Sequence, residues 1–373
     1  MKIVLISPAP PFRGGIATHS ACLYHELSKK NSVLLINYNR LYPSFLFPGK
    51  SQFNLSKSII DVQSNRIIDS INPLSWKLTA HKINDFEPDI VLFRYWNPFF
   101  AICLSTISKY LSENIKKVAL CDNIIPHERY LFDEKLIKYF FDKMDGFIVQ
   151  SSIVEKELSS INNDYKYAKL FHPIYNYLNP EIDKQIARNI LGIKSKHVAL
   201  FFGLVRDYKG FDVFIESAKI MEAKNLDISF LAVGECYSNK KKYKKLLSKY
   251  NLNNQLKWID EYIQDEEINK YFSASDFIIL PYKTASQSGI ISLAYHFNKP
   301  VITTKLDGLL DYMEPNKTGY ICEIDNPNSI VEAIELILKD DTVNDMSSFI
   351  SKYKEKFSWT EFCNGIENFR SLL

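Results

Sequence analysis

No run in this 373-residue sequence approaches the roughly 18 consecutive apolar residues that a membrane-spanning helix needs. Cysteine is sparse: six residues, at 22, 103, 121, 236, 322 and 363, with no CxxC pair and no metal-ligand spacing. Thiols scattered in this way read as free cysteines in a reducing compartment, which predicts a cytoplasmic protein. Only 12 glycines are present. None forms a G-x-G-x-x-G after a strand-like run, which argues against a dinucleotide-binding enzyme. A large excess of one charge is also missing. The net charge of +3 is too weak to point to nucleic acid. The opening MKIVLISPAP has one lysine and a short apolar run, the pattern of a buried first strand rather than of an export signal.

What is present is enough apolar material for two cores. Hydrophobic residues make up 46% and charged residues 24%, and the length suits two domains of about 100–200 residues each. Residues 1–172 carry 21 Lys and Arg against 16 Asp and Glu, and the remainder carries 25 against 27. A mildly basic first half would suit an anionic phospholipid surface or a diphosphate-linked acceptor. Short apolar runs alternate with helical patterns. Strands are predicted at Lys2–Ile6, Val33–Ile36, Ile90–Phe93, Val118–Cys121 and Phe147–Val149, with helices at Ala17–Ser28 and Asp133–Met144. The pattern restarts with strands at Val198–Phe202, Ile228–Val233, Leu256–Ile259, Phe277–Leu280 and Val301–Thr303. The Tyr-, Asn- and Pro-rich stretch 173–189 reads as a connection. The expected architecture is α/β: two doubly wound, Rossmann-like domains, 1–172 and 173–356, with a cleft between them. Ligands would bind beyond the carboxyl ends of the strands.

Two stretches of the second half carry the clearest chemistry. In FFGLVRDYKG (201–210) a strand ends at Phe202, Gly203 permits a turn, and Arg206 and Lys209 follow. Two cations three residues apart beside a strand end can clamp a diphosphate. In PYKTASQSGIISLAYHFNKPVITT (281–304) a small polar loop leads into an apolar helix near Gly289. Free backbone N–H groups there, with the Ser286 and Ser288 hydroxyls, form an anion site by geometry and by helix dipole. Ile290, Ile291, Leu293 and Ala294 are expected in the core.

Taken together, these stretches resemble the retaining glycosyltransferases of family 4, which have the GT-B fold. PAPPFRGGIATHS (8–20), GLVRDYKG (203–210), SASDFIILPY (273–282), KPVITTKLDGLLD (299–311) and NKTGYICEIDNP (316–327) match that family in order and spacing. SINPLSW (70–76), RYWNPFFA (94–101), CDNIIPHE (121–128) and ILPYKTASQSG (279–289) are similar to a bacterial surface-polysaccharide subgroup. The resemblance implies a nucleotide-sugar donor on the C-terminal domain and a carbohydrate or lipid-linked acceptor on the N-terminal one. It implies retention of configuration, no metal or other cofactor, and peripheral contact with the cytoplasmic face of the inner membrane. It places Lys209 and Arg206 on the donor diphosphate. Gly203, Gln287, Ser288, Gly289 and Ile290 form the donor turn, and Asp311 stands where the family has Glu. Gly14 and Gly15 would let backbone approach the donor phosphate. Asp122 and His127 are candidates at the reacting centre. Arg94, Trp96, Asn97 and Glu128 are candidates on the acceptor side. Helix 357–373 would cross back onto the first domain.

Two departures from the family pattern stand out, one being Asp122 where the family often has His after the strand that ends near residue 121. The family's E-x7-E motif would put Glu at 285 and 293, where this sequence has Ala285 and Leu293. That motivates a catalytically silent binding or scaffold subunit. A sugar-nucleotide epimerase would also bind a nucleotide sugar, but it needs cleft carboxylates that the sequence does not place. Two remaining features read as surface: KKKYKK (240–245) as a solvated helix face, and FLF (45–47) as a membrane-touching loop or acceptor lid.

Overall fold

The computed structural model describes residues 1–43, 52–53, 62–125, 132–174, 177–224, 226–252, 255–285, 288–339 and 341–373. The FLF stretch, His127, Glu128, Ser286 and Gln287 lie outside them. The chain divides into two compact units, Met1–Pro173 with Phe357–Leu373, and Ile174–Lys356.

The first unit is built on seven strands: β1 (Lys2–Ile6), β2 (Ser32–Arg40), β3 (Ser64–Asp69), β4 (Ile90–Tyr95), β5 (Lys116–Cys121), β6 (Gly146–Val149) and β7 (Tyr167–Lys169). Its helices are α1 (Gly15–Ser28), α2 (Pro73–Phe86), α3 (Ala101–Lys109), α4 (Asp133–Phe141) and α5 (Ser152–Ile161). The strands pair in the order β3-β2-β1-β4-β5-β6-β7, all parallel. The continuous apolar run Ile90–Phe93 is buried throughout, as a strand covered on both faces requires.

The second unit repeats the plan with six parallel strands: β8 (His197–Phe202), β9 (Ile228–Val233), β10 (Leu256–Ile259), β11 (Phe277–Leu280), β12 (Val301–Thr304) and β13 (Gly319–Cys322). Their order is β10-β9-β8-β11-β12-β13. Its helices are α6 (Lys184–Leu191), α7 (Phe211–Glu222), α8 (Lys240–Tyr250), α9 (Ile268–Ala274), α10 (Gly289–His296), α11 (Asp307–Leu310), α12 (Pro327–Ile337) and α13 (Thr342–Tyr353). Helix α6 begins inside the stretch read as a connection. Asp183 explains it: its carboxylate accepts from the N–H groups of Gln185 and Ile186, both at 2.9 Å, a cap that starts the helix despite the prolines before it.

The last helix, α14 (Trp359–Arg370), belongs to the first unit. Trp359 and Phe362 set their rings 4.8 and 5.6 Å from His19 of α1. Asn31 donates to Glu367 at 2.8 Å, and Thr360 to Glu26 at 2.7 Å. Gly146 leaves room for this helix, since a Cβ there would lie 2.7 Å from the Phe369 ring.

Each sheet reverses its winding once, between β1 and β4 in the first unit and between β8 and β11 in the second. The chains leaving such neighbouring strands diverge, and the crevice beyond their carboxyl ends is where open α/β sheets bind ligands.

Phe362 is fully buried between α14 and α1. Phe362→Ala is expected to cost about 3–5 kcal/mol in the stability of the first unit. Urea unfolding followed by tryptophan fluorescence checks this, because Trp76, Trp96 and Trp359, three of the four tryptophans, lie there.

Candidate functional site

The loop between β8 and α7 occupies the switch point of the second sheet. Gly203 turns it with φ +104°. The loop then pairs with the chain leaving β9, Val205 N–H donating to Glu235 O and Tyr237 N–H to Val205 O, both at 2.9 Å. Residues Asp207–Lys209 form a single 3-10 turn that ends at Gly210. Gly210 has φ +67°, and a Cβ there would sit 1.9 Å from the Pro281 carbonyl oxygen. Only glycine lets this loop close against the end of β11. Two further bonds fix it. Lys283 N–H donates to Tyr208 O at 2.7 Å, and the Tyr243 hydroxyl donates to Asp207 at 2.8 Å. Tyr243 comes from the KKKYKK stretch and is its only buried residue, so that basic helix also braces the loop.

The geometry aims two cations. Lys209 Nζ lies over the Tyr282 ring, 5.5 Å from its centroid, and 3.0 Å from where a Gly203 Cβ would be. Among the described residues Lys209 has no hydrogen-bond or carboxylate partner. Burial pushes its ammonium pKa down, and the charge of Arg206 adds to the effect. Arg206 is exposed, its guanidinium 5.6 Å from the Tyr237 ring centroid, and likewise has no carboxylate partner. Neighbouring cations are neutralised: Lys283 pairs with Asp212 at 3.2 Å and Asp325 at 2.8 Å, and Lys242 pairs with Asp212 at 3.0 Å.

Beside this pair starts α10. Ser288 is its N-cap, the Oγ accepting from Ile290 N–H at 3.3 Å and lying 3.5 Å from the Tyr282 hydroxyl. Gly289 is the first helical residue. Ile290 departs from expectation: it is only half-buried, with its Cδ1 packed against the Gly203 turn, whereas Ile291, Leu293 and Ala294 are core. Ala285 and Leu293, the positions of the missing glutamates, are buried apolar side chains. Asp311 is half-buried at the carboxyl end of the four-residue helix α11. The cluster therefore joins Gly203, Arg206, Lys209, Ser288, Gly289 and Ile290.

The first unit presents a different picture at its switch point. Gly14 (φ +106°) and Gly15 are exposed, with open space where a Cβ would be. They form an N-terminus of α1 that no side chain caps. Arg94 and Asp122, expected to meet ligands, are instead buried against each other. Their side chains are 1% and 4% exposed, Arg94 Nε donates to Asp122 Oδ2 at 2.6 Å, and the guanidinium's Nη2 bonds the other carboxylate oxygen. Gln150 donates to the same carboxylate at 3.3 Å, and Arg94 Nη1 meets His19 Nδ1 at 2.8 Å. The physical reason is the covered sheet: a guanidinium on a strand buried on both faces needs a counter-ion in the same layer. Asn97 has a local structural role. Its side chain accepts from Phe99 N–H at 2.9 Å and caps the turn Pro98–Phe100. Trp96 packs 4.3 Å from Phe100 and donates to the Tyr42 hydroxyl at 3.0 Å.

Sequence reasoning missed Tyr282, Tyr237, Tyr243 and Lys283 around the loop, and His19, Gln150 and His172 around Arg94. A trace of the last group is readable: His19 and Ser20 interrupt an otherwise apolar face of α1.

Residues 183–357 match the family described as Glycosyl transferases group 1. The second unit is a group 1 glycosyltransferase domain. An uncharacterised glycosyltransferase of Methanocaldococcus jannaschii is 23% identical over 98% of this chain and 97% of its own. Among solved structures, sucrose-phosphate synthase of Thermosynechococcus elongatus superposes with a TM-score of 0.76 at 15% identity, covering 100% of this chain and 99% of its own. Anabaena HepE, solved with UDP and glucose, superposes at 0.72 and 15% identity with full coverage of both chains. The glycosyltransferase thus has the GT-B fold of two Rossmann-like domains. Among its described residues no helix is long and apolar enough to cross a membrane, and no group of three or more His, Cys, Asp or Glu converges as a metal site would. None of the six cysteines forms a disulfide.

The buried histidines make the first unit of this glycosyltransferase acid-sensitive. His172 Nδ1–H donates to Pro173 O at 2.9 Å, and its ring stands 4.9 Å from that of His19. Burial first, with the Arg94 charge adding to it, lowers the His172 pKa from 6.5 to about 4, and His19 is lowered for the same reasons. The neutral ring is the folded form. Its stabilisation is complete above the unfolded pKa and is lost as pH falls towards 4, at about 1.4 kcal/mol per pH unit for His172. Urea midpoints measured from pH 7 to pH 4 are expected to fall, less steeply in His172→Leu. An unchanged slope in that variant would remove His172 as the cause.

Proposed function

We propose that the protein is a retaining glycosyltransferase that moves a sugar from a nucleotide-diphosphate sugar to a carbohydrate or lipid-linked acceptor. Its setting would be bacterial surface-polysaccharide assembly at the cytoplasmic face of the inner membrane. The observation that carries this reading is Lys209, a cation without a counter-ion among the described residues, held over a glycine turn at the switch point of the second sheet. A donor diphosphate supplies the missing counter-charge. HepE, a neighbour in fold, is solved with UDP and glucose, the class of ligand this reading needs.

The chemical problem is to break the bond between the anomeric carbon and the diphosphate. Negative charge grows on the leaving phosphate as that bond lengthens. Lys209, Arg206 and the backbone N–H groups at the start of α10 stabilise it, where preorganised positive potential has most effect. The acceptor hydroxyl attacks on the face from which the phosphate leaves, and the phosphate takes its proton. No protein nucleophile and no metal take part. With Asp122 committed to Arg94, the proposal gives it no direct contact with substrate. Gly14 and Gly15 remain the part of the first unit where backbone can approach a donor phosphate. Leu293 cannot hydrogen-bond a ribose, so ribose recognition falls to other groups of the second unit.

Lys209→Ala and Arg206→Ala are expected to lose about 2–4 kcal/mol of transition-state stabilisation each, roughly 10²–10³ in turnover, with folding intact. Sugar transfer or donor hydrolysis, followed by nucleoside diphosphate release with and without a chelator, checks this. Wild-type turnover in both variants would remove the clamp. No turnover with any donor in the wild type would favour the silent-subunit reading that Ala285 and Leu293 motivate.

A further inference from the structure

A cavity of about 500 Å³ opens at the carboxyl ends of β2 and β3 in the first unit. That volume lies in the range of small-ligand sites. Its walls combine aromatic rings, Phe12, Tyr42 and Phe53, with hydrogen-bonding side chains, Asn39, Arg40 and Gln52. Phe53 and Ile71, also in the lining, are 40% and 47% exposed, large apolar side chains that the core leaves uncovered.

These walls are held from behind. The Tyr42 ring packs on Phe99 and Phe100, with centroids 5.6 and 5.2 Å away, and its hydroxyl accepts from Trp96 Nε1 at 3.0 Å. Gln52 grips the Tyr42 backbone twice: its Oε1 accepts from Tyr42 N–H at 3.1 Å, and its Nε2 donates to Tyr42 O at 3.0 Å. Phe53 stacks on Phe12 at 5.0 Å. One oxygen of the Asp69 carboxylate takes Arg40 Nη2 at 3.1 Å, and the other takes Ile71 N–H at 3.2 Å, which sets two further wall residues. Rings and polar groups fixed before a ligand arrives lose little freedom on binding it.

The chemistry of the walls selects the ligand. Arg40, the charged residue of the lining, is balanced by Asp69 while its side chain stays half exposed. The pair offers donors and an acceptor without net charge. Arg66 lies against the rings of Phe12 and Phe53 but is not part of the lining, and its N–H groups go to the carbonyls of Tyr38 and Asn39. A sugar ring has C–H faces that pack on aromatic rings and hydroxyls that both donate and accept. An alkyl chain would strip water from Asn39 and Arg40 and return no hydrogen bond. A charged sugar would find no unbalanced opposite charge among the described lining residues. The cavity also adjoins the switch point, since Phe12 precedes the Gly14–Gly15 turn and Arg13 N–H donates to Gln52 O at 3.0 Å.

We propose that this cavity holds an uncharged pyranose unit of the acceptor, its face on Tyr42 and Phe53 and its hydroxyls on Asn39 and Arg40. This deepens the acceptor part of the proposed function and rests on it.

The test is saturation-transfer NMR of the full chain with the methyl glycosides of glucose, galactose, mannose, rhamnose and N-acetylglucosamine, against methyl glucuronide and geraniol. At least one neutral glycoside is expected to bind through its ring protons, and more tightly than the glucuronide or geraniol. Phe53→Ala and Ile71→Glu should each weaken that binding by roughly tenfold, the scale of one lost wall. Leu74→Glu, an exposed position outside the lining, should leave it unchanged. A urea midpoint matching the wild type in Ile71→Glu, itself an exposed position, separates the lost contact from lost folding. Undiminished glycoside binding in both wall variants would overturn the inference. So would tighter binding of the glucuronide or geraniol, or no binding of any neutral glycoside. Glycoside binding by a protein that binds none of UDP, GDP, ADP and CMP would instead count against the donor site.

Discussion

An ammonium group drawn partly out of water is costly, and Lys209 is half-buried with no counter-ion among the described residues. The cost of desolvating a charge is normally met by pairing it. Elsewhere in the same unit the rule is obeyed: Arg188 bonds Asp276 at 2.7 Å, and Lys299 bonds Glu181 at 2.7 Å. The acids that flank Lys209 along the chain are engaged elsewhere. Asp207 accepts from Tyr243, and Asp212 is shared by Lys242 and Lys283. What remains near Lys209 is a glycine turn, an aromatic ring and the start of a helix. The ring offers some cation–π attraction, about 0.5–2 kcal/mol, which does not replace a carboxylate. Among the described residues the buried Arg188 and Lys299 have carboxylate partners and Lys209 has none, and this contrast is what supports the proposed anion site.

The first unit answers the same topological opportunity differently. Its switch point also brings a cation to a strand end, Arg94 on β4, but the charge is already met by Asp122 in the same buried layer. Removing one member of such a pair costs about 3–5 kcal/mol because the other is left buried and unpaired. Arg94, Asp122, Gln150 and His19 therefore tie β4, β5, β6 and α1 together beneath the strand ends. What they hold in place is the start of α1 with its exposed glycine pair. Among the described residues the first of these charges, Arg94, has a carboxylate partner and Lys209 has none.

That distinction is not written in sequence periodicity. Strands such as Ile228–Val233 and Phe277–Leu280 are legible because they are continuously apolar. The edge strands β3 and β7 are not, because SNRIID and YAK are polar and partly exposed. The turn between β8 and α7 was legible through its glycines, and the start of α10 through its small polar residues. The roles of Arg94, Asp122 and Asn97 were not, since a polar residue at a strand end looks the same whether it faces a ligand or a buried partner. Tyr282 was hidden for a related reason: it reads as core, and its contribution lies in what its ring supports.

The most direct measurement is calorimetric binding of UDP, GDP, ADP and CMP to the purified protein without metal, repeated with Lys209→Met. The account predicts that one nucleoside diphosphate binds clearly more tightly than the others and that the methionine variant, with similar volume and no charge, loses most of that affinity. Undiminished binding to Lys209→Met would contradict the claim that the unpaired ammonium is the anion site, and no binding of any nucleotide to the wild type would contradict the donor site itself.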